Sequence, residues 1–177
     1  IRDVLRASGR FAVSCGNIGN SFIGEVENLK PGTIAVVEVS SFQLAHIDQF
    51  KPHVAVLLNL SPNHLDWHKN FEEYAETKHR IFKNQTRGDY SLLNASDPES
   101  TKRAMDLKSQ VLYFNGCETE NPNYAAVEEV AKLYQIDPNI TRSVLENFSG
   151  LEHRFEEVGE LHGVHYINDS KSTTIAS

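Results

Sequence analysis

The chain has little cysteine and no long apolar run. Only two of its 177 residues are cysteines, Cys15 and Cys117, which stand far apart and form no CxxC pair. This pattern indicates a reduced, cytoplasmic protein and not a disulfide-stabilised secreted one. No apolar run approaches the roughly 18 to 20 residues that a membrane span requires. We therefore expect a cytoplasmic globular protein with no membrane partner.

Basic residues are also scarce. The 17 Lys and Arg residues are outnumbered by 24 Asp and Glu residues, which gives a formal net charge of −7. A surface of that sign argues against nucleic acid or an anionic membrane as the main partner. A nucleotide stays possible, because it needs only a local cluster of positive groups and backbone N–H donors.

A third absence concerns nucleotide binding. An α/β domain that binds a mononucleotide normally carries a glycine-rich loop that ends in Gly-Lys-Ser or Gly-Lys-Thr. This sequence contains no such loop. The helix predicted over residues 1–8 is where the loop would lead, so we expect the loop to precede Ile1. The chain is then an excerpt of a larger protein, and the excerpt alone is expected to be inactive.

Strands and helices alternate along the first 150 residues. Runs rich in Val, Ile and Leu predict strands, and apolar residues at helical spacing predict the helices between them. The predicted strands are 11–14, 33–39, 54–60, 89–93 and 110–114, and the predicted helices are 1–8, 22–29, 43–49, 71–84, 124–134 and 138–148, with a further helix start at Ser96-Asp97-Pro98-Glu99. This order predicts an α/β domain with a mostly parallel sheet flanked by helices.

The pattern changes after Gly150. Residues 154–160 and 164–168 flank a short turn that contains glycine, which predicts a β-hairpin. A second domain is therefore predicted to begin near residue 151.

Polar side chains follow two predicted strands at the point where each strand ends. Glu38 and Ser40 follow one strand, and His64, Asp66 and His68 lie in the loop after the next. Ligands of open α/β sheets bind just beyond the carboxyl ends of the strands. Carboxylate and imidazole groups gathered there favour a site for Mg²⁺ and phosphate. Zinc is less favoured, because no cysteine joins the group.

Each candidate also has an ordinary structural interpretation. Glu38 is equally typical of a solvated carboxylate that caps the next helix. Lys78 lies within a predicted helix, where a lysine is normally a solvated charge. Asn17, between two glycines, suits a simple turn as well as a close approach of the backbone to a ligand. Asp169 and Lys171 suit a surface turn as well as a nucleotide, whose ribose and phosphate they would contact.

Several segments together resemble the Mur ligases, the ATP-dependent amide-bond ligases of peptidoglycan synthesis. They occur in family order along nearly the whole chain: Gly16-Asn17-Ile18-Gly19, Glu38-Val39-Ser40-Ser41-Phe42-Gln43-Leu44, Leu58-Asn59-Leu60, His64-Leu65-Asp66-Trp67-His68, Tyr74-Ala75-Glu76-Thr77-Lys78, His153-Arg154-Phe155-Glu156 and Asn168-Asp169-Ser170-Lys171-Ser172-Thr173. The Ser-Ser-Phe-Gln-Leu string resembles the branch that adds D-glutamate to UDP-N-acetylmuramoyl-L-alanine. The resemblance implies a phosphate-loop-type ATPase domain without its phosphate loop over residues 1–150. Residues 151–177 would be the first hairpin of a Rossmann-like C-terminal domain.

The resemblance also implies a role for each matching residue. Glu38 and His64 would be catalytic residues that bind Mg²⁺, together with a carbamylated Lys78. The other implied contacts are Asn17, Ser40 and Gln43 to the UDP-muramoyl substrate, Arg154 and Asp169 to ATP, and Lys171 and Thr173 near the incoming D-glutamate. The family also implies a monomer.

Two departures from the family leave adenine recognition open. The family has an Asn at the position of Ala126, and the stretch from Phe114 to Asn123 is about two dozen residues short for typical strand–helix units. Three rival functions stay open as well. They are a sister ligase or folylpolyglutamate synthetase, a non-catalytic nucleotide-binding module, and a purely structural domain. The Phe42-Gln43 pair argues against the first of these.

Overall fold

The structure is a computed structural model that describes residues 1–115 and 121–172. The chain divides into two units, Ile1–Leu145 and Glu146–Ser177. The assignment of these units to a central and a C-terminal ligase domain stays a prediction.

The first unit alternates strands with helices in the predicted order. Its elements are α1 Arg2–Ala7, β1 Ala12–Gly16, α2 Phe22–Val26, β2 Ile34–Glu38, α3 Ser41–Ala45, β3 Val54–Leu57, α4 Phe71–His79, β4 Tyr90–Asn94, α5 Pro98–Thr101, β5 Gln110–Phe114, α6 Pro122–Leu133 and α7 Pro138–Glu146. Within the described ranges, no helix combines the length and the apolar character that crossing a membrane demands.

All strand pairs of this unit are parallel, which confirms the predicted α/β class. β1 pairs with β2, and β4 lies between β3 and β5. In the described part of the chain these ladders form two sheets instead of one. The strands β2 and β3 line the same cavity of about 440 Å³. Parallel pairing places the carboxyl ends of β1 and β2 at one edge, where the polar side chains follow.

Buried apolar side chains hold the helices against the strands. Tyr74 and Ala75 of α4 pack with Ala55 of β3 and Leu93 of β4. On α6, Ala126 packs with Leu92 of β4 and Phe114 of β5. Ala126, where the family resemblance implies an adenine-contacting Asn, is only 1% exposed and belongs to the core.

Several predicted boundaries near the site are wrong, among them the end of β1, both ends of α3 and the end of β3. β1 continues to Gly16, whereas the sequence predicted a loop from Cys15 onward. The strand continues because Gly16 stays in register with Glu38 of β2. Helix α3 begins at Ser41 and not at Gln43, because Ser40 caps it. The Ser40 hydroxyl accepts a hydrogen bond from the Gln43 backbone N–H, and the Gln43 side-chain oxygen accepts one from the Ser40 backbone N–H.

The second unit contains the predicted hairpin. β6 Glu156–Leu161 pairs antiparallel with β7 Val164–Asn168, with an irregularity between Glu157 and Gly159. His162 and Gly163 form the turn, both with positive φ.

Candidate active site

Glu38 lies exposed at the carboxyl end of β2, beside Asn17 of the β1–α2 loop. The Asn17 backbone N–H donates to the Glu38 carbonyl at 2.9 Å. The Asn17 side-chain amide reaches the Glu38 carboxylate at 3.4 Å, a long hydrogen bond. The fold thus brings together two candidates that were identified separately in the sequence.

Gly16 makes this approach possible. Its φ is +119°, a conformation that L side chains rarely adopt, and an added Cβ would lie 2.2 Å from the Glu38 carbonyl oxygen. Any other residue would therefore push the two strand ends apart. The sequence left open a close approach of the backbone to a ligand at Asn17. At Gly16 the close approach is between the backbones of β1 and β2.

The helix after Glu38 is capped without it. Ser40 is the N-cap of α3, so the alternative role of Glu38 as a helix cap is wrong. The Gln43 side-chain oxygen accepts from the Ser40 backbone at 2.9 Å and from its hydroxyl at 3.2 Å. Ser40 and Gln43 therefore have a structural task, and their predicted contact with substrate stays a prediction. Glu38 is left with its carboxylate turned to solvent.

His64 occupies a tight turn with an unusual backbone conformation. Its φ of +54° is left-handed, which costs a non-glycine residue energy and is enriched at functional sites. The turn is closed by hydrogen bonds from the backbone N–H groups of Trp67 (3.1 Å) and His68 (2.9 Å) to the His64 carbonyl. The His64 ring meets the ring of Phe42 edge-on, with centroids 5.0 Å apart. This contact joins the His64 turn to α3.

Lys78 reaches the end of β2 from helix α4. Its Nζ lies 3.5 Å from the Val39 carbonyl oxygen, the long limit of a hydrogen bond. Burial lowers the pKa of the Lys78 amine, and the nearby Glu38 carboxylate partly opposes that shift. The interpretation of Lys78 as an ordinary solvated charge is therefore wrong.

His68 differs from the other polar side chains of its loop. Asp66 is exposed, whereas His68 is 1% exposed and its Nε2 lies 3.1 Å from the Ser41 hydroxyl, which is also buried. Burial lowers the pKa of the His68 imidazole, since the charged ring would be poorly solvated there. His68 is thus not a solvent-facing metal ligand, and Ser41 is a partner that the sequence analysis did not single out.

The residues near Glu38 suit Mg²⁺ better than zinc. Among residues 1–115 and 121–172, no three His, Cys, Asp or Glu side chains are grouped so as to hold a metal. A closed zinc site needs about four such ligands. Mg²⁺ is usually held by one or two carboxylates and completes its shell with phosphate and water. Glu38 and Lys78 lie close enough to influence each other electrostatically, and a carbamate on Lys78 would supply a second carboxylate-like group.

The hairpin unit holds three further candidates near its base. Arg154 precedes β6 and its side chain is exposed, as is that of Lys171. One carboxylate oxygen of Asp169 accepts from the Phe155 backbone at 3.1 Å, and the Lys171 backbone donates to His153 at 3.1 Å. These bonds hold together the segments before and after the hairpin. Thr173 lies outside the described residues.

Comparison with known proteins identifies the family to which this chain belongs. The model of the Mur ligase middle domain matches residues 18–162, most of the chain. This chain belongs to the Mur ligase family. The resemblance found in the sequence is thereby confirmed at the level of the family.

Three curated relatives of this Mur ligase chain share the name UDP-N-acetylmuramoylalanine–D-glutamate ligase. The protein of Pelotomaculum thermopropionicum is 35% identical over 208 residues, covering 98% of this chain and 46% of the relative. Those of Geobacillus kaustophilus and Streptococcus pyogenes are 36% and 37% identical over 99% of this chain. The chain spans about half the length of these relatives. The alignments extend beyond 177 positions, so the relatives contain residues with no counterpart here.

Solved Mur ligase structures share the fold. MurF of Acinetobacter baumannii gives a TM-score of 0.73 at 15% identity over 95% of this chain and 47% of its own. MurF of Thermotoga maritima, solved in complex with ADP, gives 0.70 at 19% identity over 95% of this chain and 49% of its own. At such low identity the likeness supports the α/β fold alone.

Proposed function

We propose that the full-length protein is an ATP-dependent ligase that joins D-glutamate to UDP-N-acetylmuramoyl-L-alanine in peptidoglycan synthesis. The observation that carries the proposal is 35–37% identity, over 98–99% of this chain, to ligases named for that substrate and that amino acid. The Ser40–Leu44 string, which resembles the D-glutamate-adding branch, supports the same specificity.

The proposed reaction has two steps. The terminal carboxylate of UDP-N-acetylmuramoyl-L-alanine attacks the γ-phosphorus of ATP, which releases ADP and leaves an acyl phosphate. The amine of D-glutamate then attacks the acyl carbon, phosphate departs with the bonding electrons, and the amine loses a proton. Phosphoryl transfer of this kind depends mainly on positioning and on charge neutralisation.

Glu38, His64 and a carbamylated Lys78 would hold Mg²⁺ in this proposal. When bound, the ion neutralises charge between the triphosphate and the substrate carboxylate, which otherwise repel each other. The exposed carboxylate of Glu38 and the left-handed turn that presents His64 support this assignment. Asn17 supports it too, because its contact with Glu38 orients the β2 end.

The surroundings of Lys78 favour carbamylation. Carbon dioxide reacts with a neutral amine. Burial lowers the pKa of Lys78, which increases the fraction of the amine that is neutral. Carbamylation replaces a cation beside Glu38 with a carboxylate-like group, which is a ligand type that Mg²⁺ accepts. An increase in mass corresponding to one CO₂ on the Lys78 peptide, under conditions that preserve carbamates, tests this directly.

The remaining roles follow the family. Asn17, Ser40 and Gln43 lie around the end of β2 and are proposed to contact the UDP-muramoyl substrate. In the hairpin unit, Arg154 and Asp169 are proposed to contact ATP. Lys171 and Thr173 are proposed to lie near D-glutamate. We propose that the enzyme works as a monomer in the cytoplasm.

Turnover by the full-length protein tests the proposal. The protein would be supplied with UDP-N-acetylmuramoyl-L-alanine, ATP and Mg²⁺, and with D-glutamate, L-lysine, diaminopimelate or D-alanyl-D-alanine in turn. Of the four acceptors, we expect only D-glutamate to give the amide product together with release of ADP and phosphate. Efficient turnover with another amino acid would point to a sister ligase, and turnover of a folate acceptor to a folylpolyglutamate synthetase.

The non-catalytic alternative is separated by a second measurement. A binding module would bind the nucleotide without Mg²⁺-dependent hydrolysis of ATP under any substrate combination. Hydrolysis that requires both the UDP-muramoyl substrate and D-glutamate is expected for the ligase.

A further inference from the structure

His68 sits at the centre of a cluster of rings, which we call the ring cluster: Phe42, His64, Trp67, His68 and Tyr74. The His68 ring is edge-on to Trp67 at 4.4 Å and to Tyr74 at 5.2 Å, and it stacks with Phe42 at 6.2 Å. Phe42 and Trp67 are partly exposed, whereas His68 is almost completely buried beneath them.

A histidine in this position needs a physical reason. A buried polar group is costly unless its hydrogen bonds are satisfied, and an apolar ring would fill the same space without that cost. Nε2 is paired with the Ser41 hydroxyl at 3.1 Å, while Nδ1 has no partner among the described residues. His68 therefore makes the hydrogen bond to Ser41 at the cost of leaving Nδ1 without a hydrogen bond.

That bond connects two segments that carry candidate ligands. Ser41 is the first residue of α3 and follows Glu38 by three positions, so its place depends on where β2 ends. The His68 backbone N–H closes the turn of His64 with a 2.9 Å hydrogen bond to the His64 carbonyl. One residue thus ties the His64 turn to the chain just beyond Glu38.

The third candidate ligand is reached through Tyr74. Tyr74 and Lys78 are four residues apart on α4, so their side chains lie on the same face of the helix. Tyr74 is buried and its ring contacts His68. The opposite end of α3 is held separately by Arg80, which donates to the Leu44 carbonyl at 2.8 Å. His68 therefore fixes the end of α3 that lies nearer to Glu38.

We propose that His68 is a positioning residue that sets the relative placement of Glu38, His64 and Lys78 through its bond to Ser41 and its contact with Tyr74. This inference rests on the proposed function, because the three residues matter together only if they share a metal. A directional hydrogen bond suits this task, since hydrogen bonds from outer-shell groups orient the residues that bind a metal.

The test compares four variants of the full-length protein. Ser41→Ala removes the bond and keeps the imidazole, and His68→Phe keeps a ring and removes the bond. His68→Gln places an amide near the former Nε2 and retains a partner for Ser41. Thr141→Val is the matched control, because it also removes a buried hydroxyl, and that hydroxyl has no hydrogen-bond partner among the described residues.

The readouts are the Mg²⁺ concentration for half-maximal activity, the KM for D-glutamate and the thermal midpoint. We expect Ser41→Ala and His68→Phe to raise the Mg²⁺ requirement about 10-fold, in the range found when partners of metal ligands are removed. His68→Gln should recover most of that loss. The KM for D-glutamate should stay unchanged, and Thr141→Val should keep the wild-type Mg²⁺ requirement whatever its thermal midpoint.

A normal Mg²⁺ requirement in both Ser41→Ala and His68→Phe overturns the inference, whatever their thermal midpoints. If His68→Phe fails to fold, the Ser41→Ala result decides, because that change removes a single oxygen atom. If the wild-type protein shows no ligase activity, the proposed function fails by itself. Binding of Mn²⁺ in the presence of ATP, measured by electron paramagnetic resonance, then decides the inference on the same four variants, with the same ordering expected.

Discussion

The carboxyl ends of β2 and β4 carry the same kinds of polar side chain but differ in how fully those side chains are hydrogen-bonded. Each strand ends beside a carboxylate, an amide and a hydroxyl: Glu38, Asn17 and Ser40 at β2, and Asp97, Asn94 and Ser100 at β4. At β2 the carboxylate is exposed and its one described side-chain contact is long, at 3.4 Å. At β4 one oxygen of the Asp97 carboxylate accepts two short hydrogen bonds, at 2.7 and 2.6 Å, and the other accepts from the Glu99 backbone at 3.2 Å.

The polar groups after β4 are used to build the fold. Asp97 accepts from the Leu60 backbone at 2.7 Å and from the Ser100 hydroxyl at 2.6 Å. Asn94 is buried and donates to the Leu58 carbonyl at 2.9 Å. These bonds anchor residues 58–60, which begin the loop that leads to His64. The end of β4 therefore supports the candidate site without facing it.

Residue type at a strand end therefore does not by itself mark a site. What separates the two ends is unused hydrogen-bonding capacity, because a carboxylate that is satisfied internally has little left for a ligand. Four variants of the full-length protein test whether this difference is functional.

The largest effect is expected from Glu38→Gln. The change keeps the shape of the side chain but removes the negative charge that the proposed Mg²⁺ site requires. We expect kcat to fall by about 10²–10³-fold, the range for losing one preorganised electrostatic group. The thermal midpoint should not change, because the carboxylate is exposed. Steady-state kinetics with saturating Mg²⁺ checks this, and a variant with near-normal kcat would place the metal elsewhere.

Lys78→Ala should come next, with a loss of about 10²-fold in kcat. The variant lacks the amine that would carry the carbamate, so added bicarbonate should give no recovery. Lys78→Arg is the matched control, because it keeps a cation but cannot form the same carbamate. Full activity in Lys78→Ala would eliminate the carbamate hypothesis, and full activity in Lys78→Arg would show that a simple cation suffices.

Asp97→Ala should reverse the pattern seen with Glu38→Gln. Loss of the carboxylate leaves the Leu60 backbone N–H and the Ser100 hydroxyl without their acceptor, at a cost of about 1–3 kcal/mol in the free energy of unfolding. Urea unfolding measures this cost. Turnover per folded molecule should fall far less than in Glu38→Gln. A selective loss of kcat at wild-type stability would mean that the two strand ends have been assigned the wrong way round.

Ser40→Ala should give the smallest effect, about 1 kcal/mol of stability, because it removes the N-cap of α3. Ser40→Asp is the comparison, since aspartate also caps helices well. If Ser40 acts only as a cap, the aspartate variant should regain both stability and the KM for the UDP-muramoyl substrate. A KM that stays raised at restored stability would indicate direct contact with that substrate.

The alternation of apolar runs predicted the order of strands and helices and their parallel pairing. It failed where local sequence and tertiary pairing disagree. Ser14-Cys15-Gly16 lacks the apolar pattern of a strand, yet it pairs because β2 runs alongside it in register. The start of α3 was missed for a different reason: the capping box of Ser40 and Gln43 is a short motif that apolar periodicity does not contain.

The candidate site was predicted unevenly. Glu38 and Asn17 were identified separately, and the fold brings them together. Residue type and spacing did not distinguish His64 from His68, and only the family resemblance singled out His64, because burial of an imidazole depends on where α3 and α4 pack. Lys78 was identified by family resemblance alone, since helical position does not reveal that the residue is half-buried and that its amine lies 3.5 Å from the Val39 carbonyl oxygen. Ser41 was missed because its hydroxyl matters through a partner 27 positions away.

Trp67 is the one tryptophan in these 177 residues, and its ring lies 5.0 Å from Phe42 and 4.4 Å from His68. Its indole is about half exposed, so its emission depends on what covers this side of the molecule. The arrival of a nucleotide or of a bulky sugar substrate near His64 would alter that emission without any attached dye. In a full-length protein whose other tryptophans are replaced by phenylalanine, fluorescence titration would then give ligand affinities even for variants that no longer turn over.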